Sequence, residues 1–268
     1  MPSQPLQFTD SGELAAGGVA RLRKITLSDG HTAVLRELQT GKLLNLTLRG
    51  RFRRGAEIRR MLSPHTAIAN SLETGSRFFR PYEIIEFVNG VSLRTLLTRN
   101  DARLKQDAMD MLIQMARGLA WVHQHKIMHL DVKPENFLVE YGENGVKVKL
   151  TDFDLSREAD DHGPRRQMGT PAFMAPEQFT ERLSYMASDV FAFGLIAYQL
   201  FSGRRPFSGK TVKETWRNQA NPAVHPQPLR ELAPELPVRV EAAIMKCLAK
   251  PLNERFRTME QVLQALIR

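Results

Sequence analysis

The chain has 268 residues, 42% of them hydrophobic and 25% charged, with a formal net charge of +9 at pH 7. That length allows a sizeable core, as one large domain or two lobes, and the composition is that of an ordinary globular protein. A single cysteine, Cys247, excludes an internal disulfide and fits a reducing compartment.

In chain order, RLRKITLS at 21–28, TAVLREL at 32–38 and YEIIEFV at 82–88 are rich in β-branched and apolar residues and predict strands. A helical stretch around 48–62 interrupts them. Between Lys42 and Arg60, seven Lys or Arg face only Glu57. Without interleaved aromatics or a recognition motif, that run reads as a solvated helix face, so no specific nucleic-acid partner is expected.

VNG at 88–90 is a natural hinge. Beyond it come helical periods at 107–125, 187–201, 238–250 and 258–268, with PENFLVE and GVKVKLTDF as short strand candidates. The most apolar run, VFAFGLIAYQLF at 190–201, is too short to span a bilayer and predicts a buried core helix. With no signal-like opening, no membrane association and a cytoplasmic location are expected. The expected fold is α+β, with an antiparallel sheet and one helix in 1–88 and a larger, mainly helical part in 89–268.

HLDVKPENFL at 129–138 places Asp131, Lys133 and Asn136 close together, and the strand candidate GVKVKL then leads into TDFD, adding Asp152 and Asp154. An amide and a carboxylate arriving from two turns could hold a divalent cation on oxygen ligands while a second carboxylate accepts a proton. Alone, an Asp and an Asn five apart are as well explained by a capped turn. The ordered set is more specific.

HLDVKPENFLV resembles the protein kinase catalytic loop H-R-D-x-K-P-x-N, and TDFDL resembles its D-F-G motif. MGTPAFMAPE at 168–177 is similar to the end of an activation segment, with A-P-E at 175–177. SDVFAFG at 188–194 is similar to the family's buried large-lobe helix, and Arg255 matches the arginine that pairs with the A-P-E glutamate. The resemblance spans roughly 12–266 and extends to bacterial, eukaryotic-like kinases. It implies a bilobal kinase fold, ATP with Mg²⁺ or Mn²⁺, and a protein substrate bearing a Ser or Thr hydroxyl. By resemblance, Asp131 would orient the acceptor and take its proton, and Lys133 would neutralise the transferring phosphoryl group. Asn136 and Asp152 would hold the metal. The nucleotide site would comprise Leu14, Gly17, Leu22, Ala33, Arg36, Ile85 and Leu138, with backbone groups of Glu86 and Val88. His129 is expected to be a packed structural histidine, and Asp189 a buried anchor.

The first lobe departs from the family. ELAAGGVARL at 13–22 keeps only Gly17 of three loop glycines, and Arg36 in AVLR stands where the family has lysine. Gly55 falls where the pairing helix glutamate belongs, and Glu57 lies about 200° round the helix from it. Arg36 therefore needs another acid, the nucleotide or an activating protein partner to position it, and a carboxylate restored at 55 is expected to face residue 36. Asp154, replacing the glycine of D-F-G, is expected only to stiffen its turn. Leu130 replaces the arginine of H-R-D, and residues 158–168 contain no Ser, Thr or Tyr, so activation-loop phosphorylation is not expected to switch this chain. Of the three acids that hold an upstream substrate arginine in relatives, Ser92 and Gln199 replace two, leaving Glu135. A serine/threonine kinase with an unusual ATP cradle and a pseudokinase binding module are the two functional readings.

Overall fold

The computed structural model describes residues 6–16, 19–161 and 170–268. The chain forms two compact units, Met1–Asn89 with Thr151–Asp154, and Gly90–Leu150 with Leu155–Arg268.

In the first unit, strands β1 (Phe8–Ala16), β2 (Ala20–Leu27) and β3 (Thr32–Leu38) precede helix α1 (Leu46–Leu62), which is followed by β4 (Ser71–Arg77) and β5 (Arg80–Glu86). They make an antiparallel five-stranded sheet in the order β1-β2-β3-β5-β4. β2, β3 and β5 fall close to the predicted runs because they are central strands with apolar alternation. β1 and β4 carry no such pattern. They are the edge strands, β1 is exposed at every position after Phe8, and their pairing comes from neighbours in space. Asn45 caps α1 by accepting from the Leu48 N–H at 3.0 Å.

Alternation along β3 divides the sheet's two faces. Ala33 and Leu35 join Ile25, Leu27, Tyr82 and Ile84 in one buried cluster, packed by Leu6 and Phe8. Val34, Arg36 and Leu38 point the other way, where Leu38 packs with Ala20 and Phe52 of α1.

In the second unit, β6 (Val91–Ser92) leads into α2 (Leu93–Arg99) and the long α3 (Arg103–Gln124). The following strands are β7 (Ile127–Met128), β8 (Phe137–Gly142), β9 (Gly145–Leu150) and β10 (Arg157–Glu158). β6, β8 and β9 form one small sheet, and β10 pairs with β7. Helices α4 (Pro176–Thr180), α5 (Met186–Ser202), α6 (Val212–Ala220), α7 (Val238–Cys247) and α8 (Met259–Ile267) complete the unit. α5 is buried along nearly its whole length, which explains a run with no polar face. A Cβ at Gly194 would lie 2.8 Å from the Cys247 Cβ, so glycine lets α5 and α7 approach. Among the described residues, no helix is long and apolar enough to cross a membrane.

A buried ion pair ties α4 to the segment after α7. Arg255 donates to both carboxylate oxygens of Glu177, at 2.9 and 3.2 Å, and to the carbonyls of Ala187, Ala249 and Lys250. Ser188 Oγ donates to Glu177 at 2.7 Å. Removing one member of such a pair strands a desolvated charge. Arg255→Met is expected to cost about 3 to 5 kcal/mol of folding free energy, measured by urea denaturation. A midpoint within error of the wild type would show that the pair is dispensable.

Candidate functional site

The turn between β7 and β8 carries the first cluster. Asp189 near the start of α5 is 1% exposed and acts as its anchor. It accepts the backbone N–H groups of His129 at 2.7 Å and Leu130 at 2.8 Å, and it meets His123 Nε2 at 3.1 Å. His123 Nδ1 accepts the Met259 N–H at 3.0 Å, so its proton sits on Nε2, facing Asp189. These bonds hold Leu130 in the left-handed region, at φ 63°, an unfavourable conformation for a residue with a Cβ. His129 is fully buried, and its Nδ1 accepts the Asp131 N–H at 3.3 Å.

Asp131, 8% exposed, emerges from this turn and gathers the neighbouring polar groups. Lys133 Nζ donates to its Oδ2 at 2.6 Å, and Thr170 Oγ1 donates to its Oδ1 at 3.3 Å. Asn136 Nδ2 donates to the Asp131 backbone carbonyl at 2.8 Å and to Oδ2 at 3.1 Å. Both amide hydrogens of Asn136 are thereby used, leaving its Oδ1 as the atom it can offer a cation. Asp131, Lys133, Asn136 and Thr170 thus form one cluster in the second unit.

A second cluster lies within the first unit. Arg36 on β3 stands directly across from Glu83 on β5 and donates to it at 2.8 Å. It also donates to Asp154 and lies over the Phe52 ring, 4.4 Å from its centroid. Glu83 is fully buried and carries a second cation, Arg59 of α1, at 3.3 Å. Arg59 in turn donates to the Ala69 carbonyl at 2.9 Å and to Thr151 Oγ1 at 3.2 Å, and lies over Phe153. Burial opposes the charge on Arg36, but the carboxylates of Asp154, Glu83 and Asp152 outweigh it and move its pKa up. Burial raises the Asp154 pKa, with Arg36 pulling against it. Asp152 adopts φ 63°, and its Oδ1 accepts the Asp154 N–H at 3.4 Å.

Of the alternatives for positioning Arg36 the geometry selects another acid, and it corrects three further expectations. Arg36 has two carboxylate partners, Glu83 and Asp154, and α1 supplies neither: its single acid, Glu57, pairs with Arg60 on the surface. Asp154 does more than stiffen a turn, since it is one of those partners. A Cβ on Gly55 would lie 2.8 Å from Asp154 Oδ1 and 3.0 Å from its Cα and N, so a glutamate at 55 would collide with Asp154 before reaching Arg36. Arg59 also leaves the solvated face assigned to its basic run, being 1% exposed.

The other nucleotide-site residues are dispersed over the described elements. Leu14 on β1 is exposed, and Leu22 on β2 is half-buried opposite Arg36. Ala33 lies in the core on the far face from Arg36; Val34, two residues before Arg36, shares its face. Ile85 and Val88 are buried, and Leu138 on β8 is half-buried. The Glu86 N–H donates to the Asn70 carbonyl at 2.9 Å. Gly17 lies outside the described residues, as does most of the activation-segment stretch lacking hydroxyls.

The family model for the protein kinase domain matches residues 8–266. This chain belongs to the protein kinase family. Among similar kinases, serine/threonine-protein kinase pkn2 of Myxococcus xanthus is 32% identical over 81% of this chain and 26% of its own length. Serine/threonine-protein kinase PrkC of Bacillus subtilis is 30% identical over 79% of the chain and 32% of its own. Serine/threonine-protein kinase PknA of Mycobacterium tuberculosis is 34% identical over 78% of the chain and 48% of its own. The chain thus spans between a quarter and a half of the length of these relatives.

Within this kinase domain, sequence reasoning missed Glu83, Arg59 and the second role of Asp154. The signal for the first was Glu83 itself, set between Tyr82 and Ile84 in the apolar strand YEIIEFV, where a carboxylate must find a buried cation. Glu83→Gln keeps the shape and leaves Arg36 and Arg59 with one carboxylate fewer. It is expected to cost about 3 to 5 kcal/mol, measured by denaturant unfolding. Loss under about 1 kcal/mol would mean that solvent reaches the cluster.

Proposed function

We propose that this chain is the catalytic domain of a serine/threonine protein kinase, transferring the ATP γ-phosphoryl group to a hydroxyl of a protein substrate. The observation that carries this reading is the Asp131 cluster, in which an acid held at a fixed place engages Lys133, Asn136 and a threonine hydroxyl. Asp131 orients the acceptor hydroxyl and takes its proton; the Thr170 hydroxyl now at Oδ1 is a stand-in for that contact. Lys133, beside the same carboxylate, sets positive charge against the transferring group.

ATP and a divalent cation, Mg²⁺ or Mn²⁺, are the proposed cofactors. Among the described residues no three His, Cys, Asp or Glu side chains group as a metal site. Mg²⁺ is held by one or two protein oxygens with phosphates and water, and Asn136 Oδ1 and the Asp152 carboxylate are the proposed ligands. When bound, the cation neutralises phosphate charge. Arg36 is the proposed phosphate contact, a planar cation able to bind two oxygens at once. Leu14, Gly17, Leu22, Ile85, Val88 and Leu138 are proposed for the nucleotide, with Val34 replacing Ala33. Because the Glu86 N–H is occupied, a nucleotide contact from that residue falls to its carbonyl. We retain the division into a 1–88 lobe and an 89–268 lobe, and a cytoplasmic place of action, as part of this proposal.

The test is phosphoryl transfer from labelled ATP to a generic protein substrate, with Mg²⁺ or Mn²⁺. Asp131→Asn should lower turnover at least about a hundredfold while still binding nucleotide. Equal transfer by both proteins would displace Asp131 from its role, and no transfer by the wild type in either metal would favour the pseudokinase reading.

The substrate preference follows from charge. Glu135, the acid left to greet an upstream arginine, is paired with Arg94 at 2.8 Å. Arg94 and Arg205 both lie within 6 Å of the Phe173 ring, at 5.9 and 5.7 Å. A positional peptide library is expected to show no selection for arginine three residues before the acceptor, and to tolerate acidic residues. Dominant upstream arginine would refute this.

A further inference from the structure

The first unit contains a carboxylate pressed into the space of a missing side chain. Asp154 Oδ1 accepts no hydrogen bond among the described residues and lies where α1 has no Cβ: the position of one on Gly55 is 2.8 Å from it. The other oxygen, Oδ2, receives Arg36. Gly55 sits in the middle of a seventeen-residue helix, where glycine costs about 1 kcal/mol relative to alanine, so the position carries a penalty that the local helix does not explain. The neighbouring carboxylate explains it. Arg36 is also fixed from its other side, by Glu83 across the β3–β5 ladder and by the Phe52 ring.

We propose that Asp154 is the positioning residue for Arg36, that Gly55 is the notch that admits it, and that α1 therefore contributes no carboxylate to setting the Arg36 guanidinium. This rests on the reading of Arg36 as the phosphate contact. Its regulatory consequence is specific. The carboxylates that hold Arg36 come from β5 and from the segment 151–154, so a partner that shifts α1 neither brings nor withdraws an acid partner of Arg36. Arg36 is preset before nucleotide arrives, and the control of this domain lies elsewhere than in the approach of an α1 acid. Asp154 adjoins Asp152, the proposed metal ligand, so the setting of Arg36 and the course of the chain at the metal position are fixed by the same short turn.

The experiment is a double-mutant cycle on the whole chain, comparing wild type, Gly55→Glu, Asp154→Gly and the double variant. Gly55→Ala and Asp154→Asn serve as milder versions of each change. Three quantities are read: melting temperature without nucleotide, Kd for ATP, and the separate kcat and KM for ATP. In the wild-type background Gly55→Ala and Gly55→Glu should both lower the melting temperature. In the Asp154→Gly background the shortest contact is gone, only backbone atoms at 3.0 Å remain, and the loss should be smaller. Asp154→Asn should fold and should weaken ATP binding about tenfold, raising KM more than it lowers kcat, as expected for one lost charge-assisted bond. Gly55→Glu should weaken ATP binding in the wild-type background and strengthen it in the Asp154→Gly background, since the new carboxylate then has the vacated place beside Arg36.

That reversal of sign is the decisive result. Gly55→Glu acting alike in both backgrounds, or Asp154→Asn binding ATP as the wild type does, would overturn the proposal. The expected melting pattern together with an Arg36→Ala protein that binds ATP normally would overturn the reading of Arg36 as the phosphate contact, and with it the positioning role. The melting pattern reports on the notch alone, so a failure of the packing and a failure of the nucleotide reading are separable.

Discussion

Glu83, without solvent exposure, lies between two guanidinium groups, and the first unit is organised by the need to satisfy it. Burying a carboxylate is tolerable only when cations and hydrogen-bond donors surround it. Arg36 meets it from the neighbouring strand and Arg59 from α1, and Asp154 pairs with Arg36. Two cations and two carboxylates therefore close on one another, with Phe52 and Phe153 covering the flat faces of the guanidiniums. The cluster links the hydrogen-bonded strands β3 and β5 to α1 and to residues 151–154. An ion cluster of this kind contributes little net stability relative to apolar residues of equal volume, but it fixes geometry strictly, because any displacement strands a charge.

The use of arginine where related kinases have lysine becomes intelligible in this setting. A lysine ammonium offers a point charge; the arginine fork reaches Glu83 with one nitrogen and Asp154 with the other. The glycine of α1 and the aspartate after Phe153 belong to the same solution. Three substitutions that look like separate losses in the chain, Arg36, Gly55 and Asp154, occupy one volume and compensate one another.

The second unit applies the same physics to a backbone. Asp189 accepts two successive N–H groups and faces the protonated nitrogen of His123, which holds Leu130 at positive φ and directs Asp131 out of the turn. Glu177 and Arg255 perform a comparable service for α4. In each case a buried charge secures a loop whose own sequence has no strong preference for its conformation. The proposed site residues Asp131, Lys133 and Asn136 follow the first of these segments, so their placement depends on an anchor 60 residues away in the chain.

The sequence by itself determined the central strands, the long helices and, through its motifs, the family. Apolar period and local motif are properties of neighbouring residues, and they survive in a string of letters. It could not supply the edge strands β1 and β4, whose residues lack alternation and take their conformation from the pairing of the chain in space. The side of the sheet on which Ala33 and Val34 lie was implicit in the alternation, yet it acquired meaning only once Arg36 had a defined face. The partners of Arg36 were decided by tertiary structure alone. Glu83 is 47 residues away and Asp154 is 118, and although the apolar strand around Glu83 marks it for burial, no local rule pairs either acid with Arg36. Their burial and the absent Cβ of Gly55 select them, because a desolvated charge accepts only those partners that the packed fold brings within reach.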